Sequence, residues 1–167
     1  MSELKVDTIS DKGGAFEHAR MVQVVDVQDG AVATTTTVLP HDDTIPQNTE
    51  GEEFMTLAIT PTNASNKLLI QVTAVVSSSV GNYITYALFQ DSTAGALACL
   101  THYENVATTP APVTFSHYMT AGTVSSTTFK VRIGGTDAGT TTFNGQSTAR
   151  RFGGVNASTI TITEIRV

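Results

Sequence analysis

Between Lys67 and Val76, Leu68, Ile70, Val72, Ala74 and Val76 alternate with Leu69, Gln71, Thr73 and Val75, so extended backbone makes one side wholly apolar. A helix would scatter that set around its circumference, whereas a strand in a two-layer sandwich buries it on one side. The period of two recurs. Ile84, Tyr86 and Leu88 alternate with Tyr83, Thr85, Ala87 and Phe89; Val113, Phe115, His117 and Met119 alternate with Thr114, Ser116 and Tyr118. Phe129, Val131 and Ile133 alternate with Thr128, Lys130 and Arg132, whose two charges must face water or an acidic partner. Turn signals return about every 8 to 12 residues and no window sustains a helical period. The pattern predicts an all-β chain, an antiparallel β-sandwich of the jelly-roll kind with about 8–10 strands.

Residues 1–20 read differently. Leu4, Val6 and Ile9 are spaced among polar residues, followed by Asp11-Lys12-Gly13-Gly14, and there are too few large side chains for a core. This predicts an extended arm, residues 1–20, that orders against another surface, and a sandwich domain over 21–167. Two hairpins are expected within the domain. One joins Met21–Val27 to Ala31–Val38 through Gln28-Asp29-Gly30, and the other joins Phe54–Thr60 to Lys67–Val76 through the turn Pro61–Asn66. The stretch Leu39–Glu53, with Pro40, Pro46 and Gly51, is loop. In the last strand Ile160 and Ile162 share a phase that Ile165 and Val167 break, which predicts a bulge near Thr163-Glu164.

Charge and motif content exclude several functions. The net charge is −6 and the basic residues are scattered, which argues against nucleic acid as a partner. No apolar run approaches the roughly 18 residues of a membrane span, and the polar first 16 residues do not read as a cleaved leader. The single cysteine, Cys99, cannot form an intramolecular disulfide and reads as a small buried apolar residue. His18, His41, His102 and His117 fall in separate segments, and the nucleophile elbow and phosphate-loop patterns are absent. His41-Asp42-Asp43 lacks the alternating ligand spacing of calcium loops. The reading is therefore no enzyme, no metal and no cofactor. His117, on the apolar side of its strand, is expected in a core or at a subunit interface. The face carrying Tyr83 and Phe89 is expected to meet another subunit. Exposed Tyr83, Tyr103 or Tyr118 would instead suit sugar stacking, although tryptophan, the preferred stacking residue, is absent.

The opening Leu4-Lys5-Val6-Asp7-Thr8-Ile9, the segment Ile45-Pro46-Gln47-Asn48-Thr49-Glu50-Gly51-Glu52-Glu53, the run Ile59 to Ile70 and Ala87-Leu88-Phe89-Gln90-Asp91 together resemble small structural proteins and fibre domains of tailed bacteriophages. The resemblance implies a homotrimeric jelly-roll module on a virion assembled in the host cytoplasm, with no catalytic residues. Its arm, through Leu4, Val6 and Ile9, would dock it to the major capsid protein or another virion protein. The short arm favours a capsid decoration or cement protein over a tail or head fibre, whose partner would be a host-surface glycan. Outside the phage reading, a carbohydrate-binding module is the competing class.

Overall fold

In a computed structural model that describes residues 20–167, twelve strands and one short 3₁₀ turn (Phe152–Gly154) make up the regular structure. The strands are β1 (Arg20–Asp29), β2 (Ala33–Thr35), β3 (Glu52–Ile59), β4 (Lys67–Ser78), β5 (Asn82–Gln90), β6 (Ala98–Glu104), β7 (Ala111–Thr120), β8 (Thr127–Gly135), β9 (Thr141–Phe143), β10 (Gly145–Gln146), β11 (Ala149–Arg150) and β12 (Ser158–Arg166). Eight of them are seven residues or longer, which agrees with the estimate from turn spacing. Among the described residues no helix is long and apolar enough to cross a membrane. The arm residues Leu4, Val6 and Ile9 lie outside the described residues.

One sheet runs β1-β12-β4-β9-β2, with β7 on the other side of β4, and the second runs β3-β8-β5-β6, every pair antiparallel. The alternation read from the sequence sets the faces. Leu68, Ile70, Val72, Ala74 and Val76 are all buried, and across the sandwich they meet Ile84, Tyr86, Leu88, Phe129, Val131 and Ile133. Each large apolar side chain so buried contributes roughly 1.5–3 kcal/mol. Lys130 and Arg132 point the other way, and the acidic group they meet is Glu53 on the neighbouring β3, at 3.4 and 4.0 Å.

Neither expected hairpin forms. β1 pairs with β12, at the far end of the chain, and β2 pairs with β9. The turn between them is a corner: the Asp29 carboxylate accepts from the Ala31 amide at 2.7 Å, and the Asn144 side chain donates to the carbonyls of Asp29 and Ala31. Gly30 sits so close to the turn at Gly154 that a Cβ would land on its carbonyl oxygen. Likewise β3 and β4 belong to different sheets, so Pro61–Asn66 is an arch across the sandwich. Both strands carry an apolar side, and the arch lets Met55 and Ile59 face the side of Leu68 and Ile70 where a flat hairpin would not.

The phase change near the C-terminus also has another origin. β12 pairs with β4 without interruption, and the inward places are Ile160, Ile162 and the fully buried Glu164. A carboxylate takes the third core position, which leaves Ile165 outside. The irregularity lies opposite, in β1, between Met21 and Gln23. A second bulge between Glu53 and Met55 in β3 turns Phe54 inward as well, where it stacks on Phe143 at 4.9 Å.

The long loop after β2 lies over the outside of the four-stranded sheet. Leu39 and Gly51 are tied to the sheet and to each other's segment by Leu39 N to Gly135 O at 3.0 Å and Gly51 N to Val38 O at 2.9 Å. Gly51 has φ +58°, and Arg132 donates to the carbonyls of Glu50 and Gly51. Farther along, Ala96 N donates to Pro46 O and Asn48 N to Ala94 O, so residues 46–48 run beside the turn that leads into β6. Under this loop Leu39, Ala87 and Phe89 form a small second core with Ala96.

Candidate functional site

Two surfaces carry what the interior does not use. The first is the flank where β6 and β7, the free edges of the two sheets, run alongside each other. Leu100 and His102 pair with the inward residues Tyr86 and Ile84, and Phe115, His117 and Met119 share the inward side of β7. Among the described residues no strand covers this seam, so Leu100 stays 39% exposed, while Phe115, His117 and Met119 are half-buried. His117 is thus on the apolar side, as the alternation has it, at the margin of the core.

The outer face of the β1-β12-β4-β7 sheet continues from this flank. The register places Val24, Thr163, Leu69 and Tyr118 in one row, with Val24 47% and Tyr118 55% exposed. The next row is Asp26, Thr161, Gln71 and Ser116, the one after it Gln28, Thr159, Thr73 and Thr114, and Thr73 hydrogen-bonds Thr114 at 3.0 Å. The charges on this face are Asp26 and, on the other side of the Val24 row, Lys67, whose Nζ donates to the Thr120 hydroxyl at 2.6 Å.

The second surface lies outside the four-stranded sheet, where the loop of residues 40–46 passes β6. Two hollows of about 410 and 340 Å³ share Asp42, Thr44, Pro46 and Cys99 as walls. Cys99 is exposed here, contrary to the buried role the sequence suggested: β6 is an edge strand and its outward position pairs with Ala87. Beside the groove His41 stacks flat on Tyr83, with ring centroids at 4.1 Å and planes 6° apart, and Tyr83 meets Tyr103 at 4.9 Å. The structure therefore brings Tyr83 and Tyr103 together and leaves Tyr118 on the opposite sheet. Phe89 is 1% exposed and packs under Leu39 and Ala96, so its contact is with its own chain and its ring has no area left for a subunit contact. The sequence reading missed His41 as a ring partner, because nothing local to residues 40–46 indicates that the loop folds back over β5.

Buried polar groups fix the ends of the sandwich. Burial alone would raise the Glu164 carboxyl, but hydrogen bonds from Asn66, Gln23 and Thr62 outweigh it and hold the group at about 2. Glu104 goes the other way. Burial raises it above the usual carboxylate range, although the Ser78 and Thr109 amides donate to it at 2.7 and 3.0 Å. Burial lowers His102, whose Nδ1 lies 3.4 Å from the Tyr86 hydroxyl, and the Tyr86 phenol is raised by burial and then by the Glu104 charge. Among the described residues no group of three or more His, Cys, Asp or Glu side chains is placed to share a metal ion.

The family described as the Pgp3 C-terminal domain matches residues 33–167, most of the chain. No curated protein sequence matches it. Among solved structures, the Eiger TNF from S. frugiperda is 10% identical over 88% of this chain and 94% of that one, with a TM-score of 0.49. The EclA C-terminal domain, a sugar-binding protein, is 14% identical over 84% and 89%, with a TM-score of 0.38. The infectious bursal disease virus Gx strain is 10% identical over 94% and 44%, with a TM-score of 0.37. At such identities and scores none of these structures carries a function to this chain.

Proposed function

The chain belongs to the family of the Pgp3 C-terminal domain, and from the surfaces just described we propose that it is a non-enzymatic structural module that works as a homotrimer on a virion, as a capsid decoration or cement protein. The observation that carries the reading is the pair of uncovered patches. The β6/β7 seam exposes apolar side chains that face inward, and the β1-β12-β4-β7 face exposes Val24 and Tyr118 among outward residues that are mostly hydroxyls and amides, with Asp26 and Lys67 to either side. Depletion of charge around aromatic and aliphatic side chains marks the centre of a subunit interface. The two patches differ from each other, so a seam meeting the next copy's sheet face gives a head-to-tail contact that closes into a ring, where a twofold dimer would need one patch to match itself.

Residues 1–20 are the attachment segment in this proposal, with Leu4, Val6 and Ile9 as anchors against the shell. Three arms per trimer make the attachment multivalent, so each contact can be weak. The phage-type segments in the sequence support the virion setting. The test is deletion of Ser2–Gly14 followed by binding to purified particles. The truncated chain is expected to remain a folded trimer that no longer binds them, and full decoration by the truncated chain would contradict the proposal. Copy number separates the placements: hundreds per particle support decoration of the head, and a few to a few tens overturn it in favour of a tail or fibre.

A further inference from the structure

We propose that the groove between residues 40–46 and β6 is a binding site for a neutral saccharide, with Thr85 and Asp42 as hydrogen-bonding groups and Tyr103, which lies outside the two hollows on the same side of β6 two residues beyond Thr101, as a stacking platform for a sugar that extends past the groove. The groove borders the β6/β7 seam at Leu100, which lines the second hollow, while Thr85 and Asp42 lie outside the seam. Thr85 is 4% exposed and lines the hollow, and its Oγ1 has no hydrogen-bond partner among the described residues. A buried hydroxyl left unpaired is costly; the oxygen is itself closed to solvent, and a turn of the Thr85 side chain about χ1 towards the hollow would let a ligand hydroxyl satisfy it. Its cross-strand neighbour Thr101 lines the same hollow, but that hydroxyl already donates to the Ile84 carbonyl at 3.1 Å. The vacant group is therefore Thr85.

The rest of the groove selects the class of ligand. Asp42 holds the loop by accepting from the Thr44 amide and hydroxyl at 2.8 and 2.5 Å, and its carboxylate is an acceptor for sugar hydroxyls. His41 already covers one face of Tyr83, while Tyr103 is 54% exposed beside it and offers a face to the CH side of a pyranose ring. Among the described residues the walls of the two hollows include Asp42 and Asp43 and no lysine or arginine, which disfavours phosphates and acidic sugars. The volumes fall within the range of small-ligand sites.

The experiment is saturation-transfer NMR on the full chain with lactose, maltotriose, N,N′-diacetylchitobiose and 3′-sialyllactose as separate probes. Transfer to the ring protons of at least one neutral sugar is expected, with little to sialyllactose. Tyr103→Ala should weaken that binding about tenfold through the lost stacking surface. Thr85→Val, which keeps the shape and removes the hydroxyl, should weaken it about fivefold. Tyr103→Leu, which keeps apolar bulk, serves as a second variant if the alanine form does not fold, and Tyr118→Ala on the opposite sheet should leave binding unchanged. No transfer to any probe, strongest transfer to sialyllactose, binding that survives both groove changes, or binding seen only once residues 2–14 are deleted would each overturn the proposal.

Discussion

The side-chain amide of Asn66 donates to the Glu164 carboxylate at 2.6 Å across a sequence separation of 98 residues. The same carboxylate accepts from the Thr62 amide and hydroxyl at 2.9 and 2.8 Å and, through its other oxygen, from Gln23 at 2.6 Å. One buried anion thus ties the inter-sheet arch, the first described strand and the last strand together. The arch is held where it crosses between sheets because the Thr62 and Asn63 amides and the buried Asn66 side chain find this one acceptor.

Stability should therefore depend on pH through Glu164. Its carboxyl lies at about 2 in the fold against an ordinary 4.5, so its contribution is fully present above the ordinary value and is lost as pH falls towards 2. The loss amounts to on the order of 2–3 kcal/mol. Glu104 is shifted upward, so its protonation on acidification favours the fold and partly offsets this. The clean reading is the difference between wild type and Glu164→Gln in denaturant titrations at pH 7 and pH 3. The gap should be about 2 kcal/mol at neutral pH and shrink in acid; an equal gap at both pH values would refute the assignment.

Leu39 closes the second small core over Ala87 and Phe89. Leu39→Ala should cost about 2–4 kcal/mol in chemical denaturation, the range for a buried leucine that leaves a cavity. It should leave the oligomeric mass unchanged, since Phe89 is covered within one chain. Dissociation of the assembly by this change, without loss of subunit stability, would return Phe89 to a subunit contact.

Gly51, at φ +58° with a Cβ position 2.9 Å from the Ile133 carbonyl oxygen, admits no side chain without displacement. Gly51→Ala should lower stability by about 1–3 kcal/mol in thermal unfolding at fixed protein concentration. An unchanged melting temperature would mean that the loop over β5 and β6 is not held as described.

The fold was legible in the sequence wherever a strand's sides differ in polarity. Lys67–Val76 and Phe129–Ile133 declared their buried faces residue by residue, because a one-residue slip would expose the whole apolar set. Pairing was not legible, since β1 with β12 and β3 with β8 depend on closing the sandwich rather than on adjacent turns. A strong turn signal marks a change of direction but not whether the chain stays in its sheet. The buried Glu164 misled for a related reason: an acid at an inward position looks like a break in phase until its donors from the arch are seen. The aromatic row failed similarly. Tyr83 and Tyr103 come together because β5 and β6 do pair as neighbours, whereas His41 reaches them through a loop anchored by backbone bonds at Leu39 and Gly51.

Sedimentation velocity on the full chain at micromolar concentration tests the central claim most directly. The account predicts a single species of three times 17.6 kDa, and dissociation when Leu100→Asp places a charge in the β6/β7 seam while the melting of the separate subunit stays cooperative. A wild-type chain that sediments as a monomer at these concentrations, or a Leu100→Asp chain that remains trimeric, would contradict it.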